Sequence, residues 1–244
     1  MRVVLALLTA ILVGSGLYAL AVPDSAQPGA LTTRAAAATE TAGADASARR
    51  LIVGLDISKS NPLVDDAGFA RKVAQRITAQ VKTLGLASEV HVRTFGSYGT
   101  SANAFYYDVV ISRNHRPEDV AADVEKLVAG TPLLIRKGAW KSQDKTNIIA
   151  FLDNVATSIG CARMPTTVVL VSDGIEDSEY ARLQHAGDKL PAPNAEAFRG
   201  CEALLILGLG QGQKSPSTTT RLRAEWREWA SAAGFAEFSG LNDW

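Results

Sequence analysis

The sequence predicts an open, mostly parallel, doubly wound α/β sheet with helices on both faces and one antiparallel edge strand. Three observations lead there. Residues 51–55, 167–171 and 203–209 are short, nearly continuous apolar runs, the pattern of strands covered on both faces. Between them lie segments whose apolar residues recur at helical spacing. The alternation of the two kinds implies right-handed crossovers, which leave the strand ends aligned along a common ligand-binding edge. A chain of 244 residues, 47% of them hydrophobic, is long enough to bury one sizeable core.

Taken in order, the first strand is the run LIVGL at 51–55. Phe69, Ala70, Val73, Ala74, Ile77, Val81 and Leu84 then share one helix face, and Gly85 stops the helix. Residues 89–95 alternate, with Val90 and Val92 on one side, so this strand is less completely covered. Residues 104–111 carry two tyrosines and read as the edge strand paired with it. Pro117 opens a helix bearing Val120, Val124 and Leu127. Thr146 begins another, with Ile149, Leu152, Val155 and Ala156 inward. After the strands at 167–171 and 203–209, Pro216 opens the last helix. Its buried stripe is Leu222, Trp226, Trp229 and Ala233, a core pattern and no ligand platform.

The N-terminus organises differently. Arg2 precedes an uncharged run with small residues at Ala19 and Ala21, the make-up of a secretory signal. The run at 3–22 is also long enough to span a bilayer as a retained anchor. Either reading exports the rest of the chain, to the periplasm or the extracellular space, tethered to the inner membrane if the segment stays. Residues 23–48, rich in Ala, Thr, Ser and Gly, read as a flexible linker, which leaves 49–244 as the domain. Lys and Arg total 25 against 25 Asp and Glu, with no basic stripe, so nucleic acid is not expected as a partner. Cys161 and Cys201 each precede an apolar strand, and parallel neighbours would put both at one sheet edge. A bridge there closes a loop of about 40 residues, worth roughly 4 kcal/mol on the chain-entropy estimate; two buried free thiols are the alternative.

Chemistry concentrates where the first strand ends. Asp56, Ser58 and Ser60 set a carboxylate and two hydroxyls on alternate residues of a turn. Hard oxygens suit Mg²⁺ or Mn²⁺ over thiolate- and imidazole-seeking metals. Thr146 and Asp173, the latter closing the apolar run before Gly174, complete an ordered set. Asp56 and Asp173 both fall at carboxyl ends of strands, where open α/β sheets bind ligands.

That ordered set resembles the metal-ion-dependent adhesion site of von Willebrand factor A-type domains, a Rossmann-like fold, over residue 50 to the C-terminus. The stretch from Ser60 to Thr146 is longer than the family's usual spacing, which reads the loop at 140–145 as an insertion. The resemblance implies a Mg²⁺ or Mn²⁺ ion ligated directly by Ser58 and Ser60. Asp56 and Asp173 would neutralise its charge, and Thr146 would ligate directly in one state and through water in the other. It also implies an open coordination position for an Asp or Glu carboxylate from a partner protein. The expected role is an interaction, adhesion or assembly module, not an enzyme.

Other readings compete with this one. Asp56 and Asp173 could simply cap turns, giving a metal-free scaffold of the same fold. A metal-dependent hydrolase is the enzymatic alternative, but no histidine neighbours Ser58 or Ser60 and no G-x-S-x-G elbow is present. Residues 208–215, GLGQGQKS, miss a phosphate-loop pattern because Gln213 replaces its second glycine, so they read as a loop near the metal edge. His91, His115 and His185 match no metal spacing. Glu176, Asp177 and Glu179 read as a solvated acidic helix start.

Overall fold

The structure is a computed structural model that describes residues 47–97, 105–185 and 187–244, all within one compact unit spanning 43–244. The expected signal or anchor and nearly all of the linker lie outside the described residues. Among the described residues no helix is long and apolar enough to cross a membrane.

Strand β1 (Arg50–Asp56) is buried along its whole length, as its unbroken apolar run requires. On one side it pairs in parallel with β2 (Glu89–Phe95), which pairs antiparallel with the edge strand β3 (Tyr106–Val110). On the other side parallel pairing continues through β4 (Thr166–Val171), β5 (Cys201–Leu207) and β6 (Glu237–Leu241). The order is therefore β3-β2-β1-β4-β5-β6, the open, mostly parallel sheet that the apolar runs imply. β6 has no counterpart in the sequence reading. Its five residues, EFSGL, are neither alternating nor continuously apolar, and only pairing with β5 makes them a strand.

Helices cover both faces. α1 (Ala67–Val81) and α2 (Pro117–Arg136) pack on Leu51, Val53, Leu55, Val90 and Val92. α3 (Ile148–Ser158) and α4 (Pro216–Ala233) pack on Ile52, Val168, Leu170, Leu204 and Ile206. Gly54 is required by this second face: a Cβ there would stand 2.7 Å from the Phe151 ring. Trp226 and Trp229 are core, as their spacing says.

The α3 side leaves β2 partly uncovered, and its outward residues form a polar ladder. Arg50 Nε donates to Glu89 at 2.6 Å, His91 bridges Glu89 and Asp108, and Arg93 pairs with Asp108. At the sheet's N-terminal edge Cys161 and Cys201 are joined in a disulfide, Cα to Cα 5.0 Å, with both residues buried.

Candidate functional site

The strand order locates the site before any side chain is considered. The chain leaves β1 toward β2 on one side and later returns to β4 on the other, so the topology switches direction between β1 and β4. Open α/β sheets bind ligands in the crevice outside the carboxyl ends of such a strand pair. Here that crevice lies between Asp56, the last residue of β1, and Asp173, two residues past β4.

Asn61 holds the two strand ends together. Its side-chain amide donates to the Asp56 carbonyl at 2.7 Å and to the Val171 carbonyl at 2.9 Å. Asp56 is fully buried. Its Oδ1 accepts from Ser58 N at 2.9 Å, and its Oδ2 accepts from the Ser172 hydroxyl at 2.7 Å. Asp173, 1% exposed, accepts from Ile175 N at 2.9 Å and from the Ser60 hydroxyl. The turn after it depends on Gly174, at φ 76°, where a Cβ would strike Leu209 at 2.4 Å. The Ser58 and Ser60 hydroxyls are 3.3 Å apart, Ser58 buried and Ser60 exposed.

Thr146 reaches the same place by another route. It does not begin a helix: α3 starts at Ile148 with Asn147 as its cap, and Thr146 forms an antiparallel bridge with Asp177. Residues 140–145 pack onto the β1 loop. Gln143 N donates to Ile57 O and Lys59 N to Gln143 O, at 2.9 and 2.8 Å. α2, 20 residues long, also lies between Ser60 and Thr146.

Ser58, Ser60, Thr146 and Asp173 line one cavity of about 550 Å³, and Asp56 lies beneath it, bonded to Ser58. All five residues singled out in the sequence thus meet at one edge of the sheet. The loop at 208–215 contributes Gln211, Gly212 and Gln213 to the wall, the position expected for it. Asp144 and Asp177 on the rim pair with Lys59 and Lys145.

The electrostatics of this floor are one-sided. Burial, then the neighbouring Asp173 charge, raises the Asp56 carboxyl well above its ordinary range; burial raises Asp173 as well. Among the described residues no Lys or Arg offsets either one. Three hydroxyls and the Asp173 carboxylate lining the cavity, with the Asp56 carboxylate beneath it, are a hard-oxygen set suited to Mg²⁺ or Mn²⁺, and a divalent cation would relieve the repulsion. Among the described residues no cluster of three or more His, Cys, Asp or Glu is placed to hold a metal; three of the five candidate donors are neutral hydroxyls.

Glu176 departs from the sequence reading. It is fully buried, and it accepts from Ile148 N at 2.7 Å and Ile149 N at 3.1 Å, capping α3 from a different loop. Burial pushes its carboxyl up to about 7. Sequence reasoning also missed Asn61 and Ser172, which hold the acidic floor; Asn61 immediately follows Ser60 and was the available signal. Trp226 donates to Gly174 O at 2.7 Å, tying α4 to the Asp173 turn.

No protein-family model matches the chain, and no curated protein matches it. Among solved structures it is similar to the pilus adhesin SpaC from Lactobacillus rhamnosus GG in its open conformation. That likeness has a TM-score of 0.44 and 12% identity, over 82% of this chain and 28% of that one. It is also similar to the human COPII-coat protein Sec24c, with a TM-score of 0.39 and 12% identity, over 81% of this chain and 30% of that one. The chain spans less than a third of either protein.

Proposed function

We propose that this chain is an exported, von Willebrand A-like interaction module that holds a divalent cation at the β1–β4 crevice and binds a carboxylate of a protein partner there. One observation carries the reading: Ser58, Ser60, Thr146 and Asp173 line one cavity with Asp56 beneath it, and the two buried carboxylates lack a cationic partner among the described residues. Ser58, Ser60 and Thr146 would offer hydroxyl ligands, with Asp56 and Asp173 neutralising charge directly or through bound water. Mg²⁺ or Mn²⁺ would supply a Lewis-acidic position for an incoming Asp or Glu.

The chain's own residues account for the rest. Asp56 holds the Ser58 loop through its backbone N–H, and Asn61 fixes the spacing between the two carboxylate-bearing strand ends. The Lys59–Asp144 and Lys145–Asp177 pairs make the rim nearly neutral, so affinity for one carboxylate must come largely from surface contacts around it. Such contacts suit a protein better than a free small acid. Among the described residues no histidine lines the cavity to act as a general base for Ser58 or Ser60, and the proposal is a binding protein, not an enzyme. Export is supported by the disulfide, which persists in oxidising compartments.

The test is calorimetric titration of Mg²⁺ and Mn²⁺ into the chain, with Asp56→Ala and Asp173→Ala as controls. Saturable one-to-one binding lost in both variants is expected. Binding that survives both substitutions places the ion elsewhere and ends the proposal. If no binding is seen, the titration is repeated with an acidic peptide present, and silence there points to a metal-free scaffold.

A further inference from the structure

A second cavity, of about 620 Å³, begins where the first ends: Asn147 lines it one residue past Thr146, and Tyr180 lines it three residues past Asp177. Its walls are aromatic. Phe95 and Phe151 stack with ring centroids 4.7 Å apart, and Tyr106 and Tyr180, 58% and 48% exposed, form the rim. These two tyrosines are among five large hydrophobic side chains exposed in the described residues, and both line the same cavity.

Among the described residues the charge left unpaired in this cavity is negative. The Arg93 guanidinium lies 4.6 Å from the Tyr106 ring centroid, so this wall already accommodates one cation. Both terminal nitrogens of Arg93 donate to Asp108, however, so it is not available to a ligand's anion. Asp153, on α3, lines the cavity, and its carboxylate meets neither a cation nor a hydrogen-bond donor among the described residues. Partial burial alone raises its carboxyl above the ordinary range. Glu179 adds a second negative charge beside the cavity, 3.3 Å from the Asn147 amide.

We propose that this cavity binds a basic side chain, a lysine ammonium or arginine guanidinium presented by a partner polypeptide, with Asp153 as its counter-ion and the aromatic faces around its stem. Aromatic faces attract cations through their quadrupole, and long basic side chains lay their apolar stems along such walls. An anionic ligand would meet Asp153 and Glu179. A neutral apolar one would leave Asp153 further desolvated with no partner. The half-exposed tyrosine rim suits a side chain whose backbone stays in solvent. This site stands on its own residues and does not depend on the divalent ion.

The experiment is an NMR titration of the full chain with N-acetyl-lysine methylamide and N-acetyl-arginine methylamide, observing the ring resonances of Phe95, Phe151, Tyr106 and Tyr180. Saturable shifts with a dissociation constant in the millimolar range are expected for one charged side chain. Asp153→Asn and Tyr180→Ala should each weaken binding about fivefold, the scale of one ion-pair or cation–π contact, while amide resonances elsewhere stay in place. The norleucine derivative, with the stem but no charge, should not saturate. Equal binding of the norleucine derivative, or unchanged lysine affinity in Asp153→Asn, would overturn the proposal. n-Butylammonium separates the sources: weaker binding than the lysine derivative supports a polypeptide ligand, and equal or tighter binding overturns that assignment in favour of small amines.

Discussion

The buried floor of the β1–β4 crevice makes Asp56→Asn the most informative perturbation. Asp56 is held from its ordinary 3.8 up to about 7, so the folded state keeps a proton that the unfolded chain has released. Between those values the native state binds more protons, and stability must fall as pH rises. At 1.36 kcal/mol per pH unit the gap corresponds to about 4 kcal/mol, present below pH 4 and lost by about pH 7. Asparagine carries no charge to repel Asp173, but it cannot accept both the Ser58 N–H and the Ser172 hydroxyl as the carboxylate does, at a cost of about 1 kcal/mol. The variant is therefore expected to be slightly less stable than the parent at pH 4 and about 3 kcal/mol more stable above pH 7. For a domain of this size that difference is on the order of 10 °C in Tm. The assay is thermal unfolding from pH 4 to 8 in chelator, repeated in saturating Mg²⁺. In Mg²⁺ the parent should recover most of the lost stability and the variant little. Asp173 and Glu176 titrate in the same window, so the variant keeps part of the slope. Parallel pH profiles for the two proteins would refute the reasoning, because they would mean that Asp56 is not held protonated by its surroundings.

Three further outcomes rest on geometry away from that floor. Cys161→Ser with Cys201→Ser opens a 40-residue loop and should lower stability by about 4 kcal/mol in urea titration, while Mg²⁺ affinity stays unchanged because the bridge lies at the opposite sheet edge. Gly54→Ala drives a methyl to 2.7 Å from the Phe151 ring and should cost about 1–3 kcal/mol by the same measurement; a neutral result would show that Phe151 can shift aside. Glu176→Ala strips the acceptor from two buried amides at the start of α3 and should cost about 3 kcal/mol, with Glu176→Gln restoring most of it in guanidinium unfolding.

Most of the sheet was legible because its strands are continuous apolar runs. β1, β4 and β5 could be placed from composition alone, and the alternation in β2 correctly implied a face left open, now occupied by the Glu89–His91–Asp108 ladder. β6 was not legible. Its Phe238 and Leu241 are separated by Ser239 and Gly240, and Gly240 is explained chiefly by Leu209 on another loop, whose Cδ2 would lie 2.6 Å from a Cβ there. A strand defined by what its neighbour leaves room for carries no periodic signal of its own.

The site divides along the same line. Asp56, Ser58 and Ser60 sit within five residues and Asp173 ends an apolar run, so their chemistry and their edge of the sheet could be read together. Thr146 could be named but not built, because its position comes from a bridge to Asp177 and from the 140–145 segment sewn to Ile57 and Lys59. Glu176 was misread for a related reason. An Asp or Glu near a helix start reads as a solvated first-turn charge, yet this one caps a helix that begins 28 residues earlier in sequence. A carboxylate serving a distant helix is indistinguishable in sequence from one serving its own. Only the fold decides, by bringing the β4 loop over the N-terminus of α3. That contact also places Thr146 beside the two aspartates, so the cap and the candidate ligand depend on one packing event. Loss of the Glu176 cap should therefore reach the cavity, with Glu176→Ala weakening Mg²⁺ binding in calorimetric titration although Glu176 is not one of the five candidate ligands.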